Sequence, residues 1–353
     1  MRYNRVLFNY LNCRRTEKDL YLLFMRKDFA LCFNDGYVPY AAVTIRSIAD
    51  HMPQRDETHI HVVSDYVSEK HQRFLCRVAG RARVEFHFIP EDDATLEGVP
   101  VKEWGIYTWF RLFLPRYLPE VGRVLYLDCD VLVNDALDEL FTMDMRGQSV
   151  AACLDTQAYD LRHYARLGYD AGLRYVCAGV LLMDLARWRS GSLPERMVAY
   201  ARVHRDRIEW PDQDAINYVC REDKIILPPR YGVLVPFFRH AAFIREHLSQ
   251  MDGLMEAPAI IHYAGYQPWL YFKDKSMHSR LWWHTFWRLR AFPKVPVVYA
   301  LHFVWYWVKV AGLALRLIRP GSRWDVSRWY YDHPRVKRRD VLRLTASLRS
   351  EKN

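Results

Sequence analysis

The sequence lacks the cysteine pattern of a disulfide framework or of a structural zinc site. Its seven cysteines, among 353 residues, include no CxxC pair, and an odd number of scattered thiols does not complete a set of disulfides. They stand at positions 13, 32, 76, 129, 153, 177 and 220. A reducing compartment is the expected environment.

An uninterrupted apolar run near the amino terminus is also missing. The best candidate, from Leu20 to Phe33, is broken by Arg26, Lys27 and Asp28, so no signal peptide is predicted and the expected location is the cytoplasm. Internal repeats and low-complexity segments are absent from the sequence. This excludes a repeat architecture and favours a globular protein.

Charge is distributed unevenly. The chain carries a net charge of +10, but the segment 280–353 holds sixteen Lys and Arg against four Asp and Glu, a balance of +12. The remainder holds 35 basic and 37 acidic residues, a balance of −2. A nearly neutral body is therefore followed by a basic tail, which is typical of segments that contact phosphates of nucleic acid or of anionic lipid.

Short apolar segments alternate with helical patterns along the body. This β-α-β-α-β rhythm predicts an α/β fold with a mostly parallel sheet. The predicted strands are 29–33, 59–64, 83–89, 123–127, 150–154, 178–183 and 259–262, and the predicted helices begin at Pro39 or cover 69–79, 107–117, 197–204 and 214–220. Residues 1–28 are expected to form a polar extension.

Two carboxylates follow the strand 123–127, in the sequence Asp128-Cys129-Asp130. In an extended chain, residues two apart project to the same side, so both carboxylates can reach one point. Ligands of open α/β sheets bind at the carboxyl ends of the strands, and carboxylate oxygens suit Mg²⁺ or Mn²⁺. The motif alone also arises by chance in a chain of this length.

Two further motifs carry polar side chains. The segment 210–214 reads Trp-Pro-Asp-Gln-Asp, in which Asp212 could simply cap a helix, although that leaves Gln213 unexplained. The segment 262–269 begins with His262, contains Gly265 and ends in Pro-Trp. The histidine alone could be an ordinary core residue, whereas the glycine would permit a close approach of backbone to a phosphate.

Taken together and in this order, these motifs resemble glycosyltransferase family 8. The resemblance covers about residues 29 to 272 and includes the turn after the first strand and the segment Cys177-Ala178-Gly179. The family contains retaining glucosyl- and galactosyltransferases of bacterial lipopolysaccharide, and glycogenin. The resemblance implies a single nucleotide-sugar-binding domain of GT-A type, with a UDP-sugar donor and Mn²⁺ or Mg²⁺ as cofactor.

The resemblance also implies roles for individual residues. Those matching the metal ligands are Asp128, Asp130 and His262, and those in the turn that holds uridine are Asn34, Gly36 and Tyr37. Residues expected around the donor sugar and its reacting face are Arg111, Asp155, Asp212 and Gln213. The rest of the donor site is expected to comprise Cys177, Ala178, Gly265 and Gln267.

Two positions depart from the family pattern. Cys177 stands where the family usually has an asparagine, so an amide that could bind a sugar hydroxyl is lost. Gln267 stands where a lysine usually precedes Pro-Trp, so the leaving diphosphate lacks a charge-assisted hydrogen bond. A non-catalytic member that binds nucleotide sugar or membrane is therefore an alternative to an active enzyme.

The reaction expected from this resemblance is transfer of glucose or galactose with retention. A double displacement needs a carboxylate nucleophile, and the residue that the family places there is Gln213, which is a poor nucleophile. Front-side attack, in which the acceptor hydroxyl loses its proton to the departing phosphate, is the favoured mechanism. The expected acceptor is a glycan or lipid-linked glycan in lipopolysaccharide or surface polysaccharide synthesis.

The tail, residues 276–353, follows the expected catalytic domain of residues 29–275. His302, Lys309 and Arg316 recur at intervals of seven within a mostly apolar segment, which predicts a helix lying in a membrane interface rather than spanning it. The aromatic and basic residues expected to help it dock are Trp305, Trp307, Trp324, Trp329, Arg335, Lys337, Arg338 and Arg339. The predicted location is the inner face of the cytoplasmic membrane, with packing on the catalytic domain as the alternative. Nucleic acid is not an expected partner, because the aromatics cluster with aliphatic residues.

Overall fold

The protein is described here as a computed structural model that covers residues 25–52, 57–102, 105–269, 278–315, 317 and 338–350. Most of the predicted extension 1–28 lies outside these residues. Four residues of the predicted tail surface, Trp324, Trp329, Arg335 and Lys337, lie outside them as well, and so do Arg316 and the side chains of His302 and Trp307.

Within the described residues, ten strands form a large sheet and a small one. They are β1 (Lys27–Cys32), β2 (Thr58–Ser64), β3 (Arg83–Phe88), β4 (Arg123–Leu127), β5 (Val131–Val133), β6 (Val150–Leu154), β7 (Val176–Asp184), β8 (Lys224–Ile226), β9 (Val233–Leu234) and β10 (Ile260–His262). The large sheet has the order β3-β2-β1-β4-β7-β6-β8, and the small one has the order β5-β10-β9. In the large sheet, β7 runs antiparallel to β4 and β6, and the other neighbours are parallel. The predicted mostly parallel sheet is confirmed.

Helices pack on both faces of the large sheet, and further helices continue into the tail. They are α1 (Val38–His51), α2 (Glu69–Ala79), α3 (Leu114–Tyr117), α4 (Asp138–Thr142), α5 (Leu161–Leu167), α6 (Leu185–Ser190), α7 (Leu193–Val203), α8 (Pro211–Val219), α9 (Ala241–Glu246), α10 (Met251–Glu256), α11 (Ser279–Arg288), α12 (Lys294–Ala314) and α13 (Arg338–Ser350). Helix α1 begins with a proline in its first turn, where the missing N–H costs nothing. Its apolar stripe, including Ile45 and Ile48, is fully buried, which joins it to one face of the sheet.

Several predicted elements differ from the observed ones. The segment predicted as a helix over 107–117 is a 3-10 helix, Ile106–Phe113, followed by the single-turn α3. Its residues from Trp109 to Phe113 are all buried, so packing on several sides overrides the local pattern. Helix α8 begins at Pro211 with Trp210 as its N-cap. Asp212 therefore lies inside the first turn and is not the cap.

The described part of the tail is mainly helical, as predicted. Trp282 and Phe286 of α11 are buried in the same apolar cluster as Trp269, and Val341 and Leu348 of α13 belong to that cluster too. The described side chains of α12 include a row of exposed apolar residues. None of the helices that the structure describes is long and apolar enough to cross a bilayer. The expected boundary at residues 275–276 falls outside the described residues and stays a prediction.

Candidate functional site

Strand direction brings three separate segments to one point. Because β7 runs antiparallel to β4, its first residues lie beside the last residues of β4, and the Asp128 amide donates to the Gly179 carbonyl at 2.9 Å. Strand β10 pairs with β5, which follows the Asp128-Cys129-Asp130 turn. The Tyr263 amide then donates to the Asp130 carbonyl at 2.9 Å. The end of β10 is thereby fixed against the acidic turn.

Asp128, Asp130 and His262 converge at this point. One ligand atom from each residue lies within 4.8 Å of those of the other two. The Nε2 atom of His262 lies 3.1 Å from Oδ1 of Asp130 and 3.7 Å from Oδ2 of Asp128. Two carboxylates and an imidazole form a donor set that suits Mn²⁺ or Mg²⁺.

The close approach of these groups depends on Gly179. A Cβ atom at this position would lie 2.1 Å from Cε1 of His262 and 2.8 Å from Oδ2 of Asp128. Such distances are far below van der Waals contact, so any side chain here would displace the imidazole or the carboxylate. Gly179 is therefore a steric requirement of the cluster.

Asp130 and His262 shift each other's pKa. Burial alone would raise the pKa of Asp130, but the charge of His262 and hydrogen bonds from His262 and Gln267 lower it. Burial likewise opposes the charged form of His262, yet Asp130 and then Cys177 raise the pKa of this imidazole well above its usual value. A cation bound here would take the place of the imidazolium proton.

Cys177 and Gln267, the two departures from the family pattern, both contact the cluster. The Cys177 thiol lies 3.4 Å from Nδ1 of His262, the ring nitrogen that faces away from the carboxylates. Gln267 donates from Nε2 to Oδ2 of Asp130 at 3.1 Å. Cys177 therefore contacts His262, and Gln267 contacts Asp130, in each case at an atom that does not face the centre of the cluster.

Arg111 connects the acidic turn to the first turn of α8. Its side chain is 4% exposed, and it donates from Nη2 to Oδ1 of Asp128 at 3.1 Å. Its Nε atom lies 2.9 Å from Oδ2 of Asp212, and Nη1 donates to the Ala178 carbonyl. A buried guanidinium needs such partners, because an unpaired buried charge is strongly unfavourable.

The next group of candidate site residues comprises Asp212, Gln213 and Asp155. Burial raises the pKa of Asp212 to about 6, although the charge of Arg111 opposes the shift. Gln213 accepts from the Ala178 amide at 2.8 Å and donates to Oδ2 of Asp155 at 3.4 Å. Burial is also the main reason that the pKa of Asp155 is raised. Both the oxygen and the nitrogen of the Gln213 amide are therefore engaged in hydrogen bonds.

The predicted uridine turn precedes α1. Asn34 accepts from the Tyr37 amide at 3.2 Å, which closes a 3-10 turn that contains Gly36. Partial burial, and after it the charge of Asp130, raises the pKa of Tyr37. Gly265 has φ near 70° and is exposed, and its predicted role at the phosphates stays a prediction.

Two residues of the site were missed by sequence reasoning. The Tyr126 hydroxyl donates to Oδ1 of Asp128 at 2.7 Å, and its alternation with Asp128 along β4 could have identified it. Thr44, inside α1, donates to the Cys129 carbonyl at 3.1 Å and to the Val131 carbonyl at 2.8 Å. Nothing in the local sequence distinguishes this threonine from other residues on the buried face of α1.

Solved structures share this architecture. The galactosyltransferase LgtC, solved with donor and acceptor sugar analogues, aligns with a TM-score of 0.67 at 23% identity, over 75% of this chain and 97% of that one. The glycosyltransferase GlyE of Streptococcus pneumoniae aligns with a TM-score of 0.58 at 18% identity, over 79% and 64% of the two chains. These likenesses establish the fold.

Sequence relatives point the same way. Lipopolysaccharide 1,2-glucosyltransferase of Escherichia coli is 24% identical over 67% of this chain and 71% of its own length. Glycosyltransferase GlyF of Streptococcus pneumoniae is 25% identical over 73% and 61% of the two chains. This chain spans only 56% of a Haemophilus influenzae relative. Residues 28–273 match the family described as glycosyl transferase family 8, and the chain belongs to that family.

Proposed function

We propose that the protein transfers glucose or galactose from a UDP-sugar to a glycan acceptor with retention of anomeric configuration. The observation that carries this proposal is the convergence of Asp128, Asp130 and His262 in a space that Gly179 keeps open. A lipopolysaccharide glucosyltransferase among the relatives and a galactosyltransferase among the solved structures support a hexose donor. Lipopolysaccharide or surface polysaccharide is the proposed pathway, with a lipid-linked glycan as acceptor.

The cluster fits a divalent metal by its donor chemistry. Asp128 and Asp130 would supply hard oxygen ligands and His262 a nitrogen ligand, and the missing Cβ of Gly179 leaves room beside them. When bound, such a cation stabilises negative charge on the leaving diphosphate. Arg111 and Tyr126 hold one carboxylate oxygen of Asp128 in place, which fixes the orientation of that ligand.

The remaining residues are proposed to hold and orient the donor sugar. Asp212, fixed by Arg111, would accept hydrogen bonds from the sugar hydroxyls. Asn34, Gly36 and Tyr37 would hold the uridine, and Cys177, Ala178, Gly265 and Gln267 would complete the donor site. In this arrangement the acceptor hydroxyl attacks the face from which the diphosphate leaves, and its proton passes to the departing phosphate oxygen.

The contacts of Gln213 support this front-side mechanism. A nucleophile directs a lone pair at the anomeric carbon, and one of the two lone pairs of Gln213 Oε1 is already engaged by the Ala178 amide at 2.8 Å. The amide group itself is also a poor nucleophile. Gln213 and Asp155 are therefore proposed to stabilise the sugar as it acquires positive charge, without forming a covalent intermediate.

Calorimetric titration of the full chain with UDP tests the donor site. UDP should bind at least about tenfold more tightly with Mn²⁺ than with EDTA, because a cation held by Asp128, Asp130 and His262 would neutralise charge on the diphosphate. Equal affinity in the two conditions would contradict the metal-bridged donor.

A panel of UDP-glucose and UDP-galactose, assayed for sugar transfer and for donor hydrolysis, then identifies the hexose. Tight UDP binding without turnover of either donor would support the alternative, a non-catalytic binding protein.

We further propose that α12 docks on anionic lipid. Its exposed apolar side chains follow the spacing of one helical face, and they are Val297, Leu301, Val304, Trp305 and Val308. Lys309 lies beside them, with its ammonium 5.6 Å from the centre of the Trp305 ring. The net charge of +12 on residues 280–353 complements an anionic lipid surface. A neutral protein partner would not account for this charge. The predicted position on the inner face of the cytoplasmic membrane remains part of this proposal.

Vesicle sedimentation tests the docking. The triple variant Leu301→Ser, Val304→Ser and Val308→Ser should lose about a thousandfold or more in affinity for phosphatidylglycerol vesicles, because each side chain contributes roughly 1.5–3 kcal/mol when buried. The control carries Leu161→Ser and Val203→Ser, two side chains that are 74% exposed outside the tail. If the control loses as much affinity as the triple variant, lipid docking through this face is excluded. Equal binding to phosphatidylcholine vesicles would exclude the preference for anionic lipid.

A further inference from the structure

A second group of histidines and carboxylates lies on the large sheet, far along the strand order from Asp128. Among the described residues, His61, Glu85 and His87 each offer one ligand atom within 4.8 Å of the other two. His61 lies on β2, and the other two lie on β3, the edge strand of the sheet. The parallel register pairs His61 directly with Glu85, and this places all three side chains on one face. We call these three residues the edge cluster.

The distances in the edge cluster match a small transition-metal site. Nδ1 of His61 lies 3.2 Å from Nε2 of His87 and 3.9 Å from Oε2 of Glu85. Ligands of a tetrahedral zinc ion, each about 2.0–2.1 Å from the metal, are about 3.3 Å apart. The two imidazole nitrogens already have this separation, and the carboxylate needs a shift of about half an ångström.

The surroundings of His61 orient its Nδ1 atom toward the cluster. Its Nε2 atom lies 2.8 Å from Oδ1 of Asp28, and an ionised carboxylate can only accept, so the ring proton belongs on Nε2. Nδ1 then presents a lone pair. Asp28 is itself held by Arg26, which donates to it from Nε and Nη2 at 2.6–3.0 Å. A carboxylate behind a histidine is the usual support of a metal-ligating imidazole.

Glu85 is divided between two sets of partners. Its Oε1 atom lies 3.3 Å from Nδ1 of His59 and 3.1 Å from Nε of Arg83. Its Oε2 atom is the one that faces His61. The carboxylate is therefore anchored through one oxygen and directs the other into the cluster.

We propose that the edge cluster binds a divalent transition-metal ion of the zinc type, with His61, Glu85 and His87 as ligands and Asp28 as a positioning residue. Two imidazoles and one carboxylate favour Zn²⁺ or Co²⁺ over the harder Mg²⁺ and Mn²⁺. The ion joins β2 to the edge strand β3 and leaves a coordination position for water. This site is independent of the proposed glycosyl transfer, because none of its residues belongs to the donor site.

Zinc titration of the full chain in an Asp130→Ala background tests the edge cluster. This background removes a ligand from the donor-site cluster, so that a remaining equivalent of bound Zn²⁺ reports the second site. One equivalent is expected, and tetrahedral Co²⁺ in its place should show visible absorption. Adding His87→Ala should abolish both. The matched control, His204→Ala, removes an imidazole from another surface and should leave both unchanged.

Two further variants keep the result decisive. Glu85→Gln should also remove the bound equivalent, which covers the case in which His87→Ala disturbs the fold. Asp28→Asn should weaken binding by about 10–100-fold, as expected when the support of a ligating histidine is lost. The proposal would be overturned if the Asp130→Ala protein bound no equivalent of Zn²⁺. It would also be overturned if adding His87→Ala and adding Glu85→Gln both left that binding unchanged.

Discussion

The two clusters of histidine and carboxylate differ in how the fold builds them. Asp128, Asp130 and His262 come from the end of β4, the turn after it and the end of β10, and a glycine on β7 gives them room. The edge cluster instead lies within two neighbouring strands, and its geometry follows from their register. One cluster is assembled by topology, and the other is assembled by a single strand pairing.

This difference determines the ligand that each cluster suits. The first cluster lies where open α/β sheets bind their ligands, and its two carboxylates favour a hard cation that also contacts phosphate. The edge cluster has two imidazoles and one carboxylate, and its two imidazole nitrogens already lie near a tetrahedral separation. The first therefore suits catalysis on a phosphorylated donor, and the second suits a fixed ion that holds an edge strand.

The largest expected effect is on sugar transfer, which should depend on the first cluster and not on the edge cluster. Asp130→Ala should lower sugar transfer about a thousandfold, because losing the stabilisation of the leaving diphosphate costs about 4 kcal/mol. His87→Ala should leave transfer with Mn²⁺ unchanged. Both are measured as initial rates with UDP-glucose or UDP-galactose at saturating Mn²⁺. A comparable loss in the His87→Ala variant would mean that the two clusters act in one reaction.

The second prediction concerns the space that the first cluster needs. Gly179→Ala should weaken UDP binding in Mn²⁺ about a hundredfold, since a Cβ 2.1 Å from Cε1 of His262 must displace that ring. Zinc binding at the edge cluster should not change. The control is Gly122→Ala, because no atom lies within 4 Å of a Cβ built there. Unchanged UDP affinity in the Gly179→Ala variant would show that His262 is not a ligand.

Much of the fold and of the first cluster could be predicted from the sequence. The strand lengths and the alternation with helices gave the mostly parallel sheet, and the order of motifs gave the family. Asp128 and Asp130 could be paired because they lie two residues apart, although the extended chain assumed for that pairing is a turn in the structure. His262 could be added only through the family resemblance, since a separation of more than 130 residues carries no local information about contact.

The rest required the three-dimensional structure. Strands β5, β8 and β9 contain three, three and two residues, which is too few for an alternation to be recognised. The need for glycine at position 179 depends on the antiparallel β7, a direction that the sequence pattern does not specify. The edge cluster depends on the register between β2 and β3, and a shift of one residue would turn its side chains to the other face.

The smallest expected effect concerns Gln267, which donates to Oδ2 of Asp130 at 3.1 Å. In the Gln267→Lys variant an ammonium replaces the neutral amide beside the proposed diphosphate site. A charge-assisted hydrogen bond contributes up to about 1.4 kcal/mol more than a neutral one, so UDP binding or turnover with Mn²⁺ should improve by up to about tenfold. Titration with UDP and initial rates measure the two quantities.

The outcome depends on which partner the new ammonium takes. The Oδ1 atom of Asp130 faces His262 at 3.1 Å, so a lysine on Oδ2 leaves the proposed ligand oxygen available to the metal. Gln267→Met, with a side chain of similar length and no donor, is the matched control and should weaken UDP binding slightly. If Gln267→Lys weakens both binding and turnover, the ammonium competes with the metal for Asp130. The glutamine would then be part of a donor site built differently from the family pattern, and it would set this member of family 8 apart at the residue next to its metal ligand.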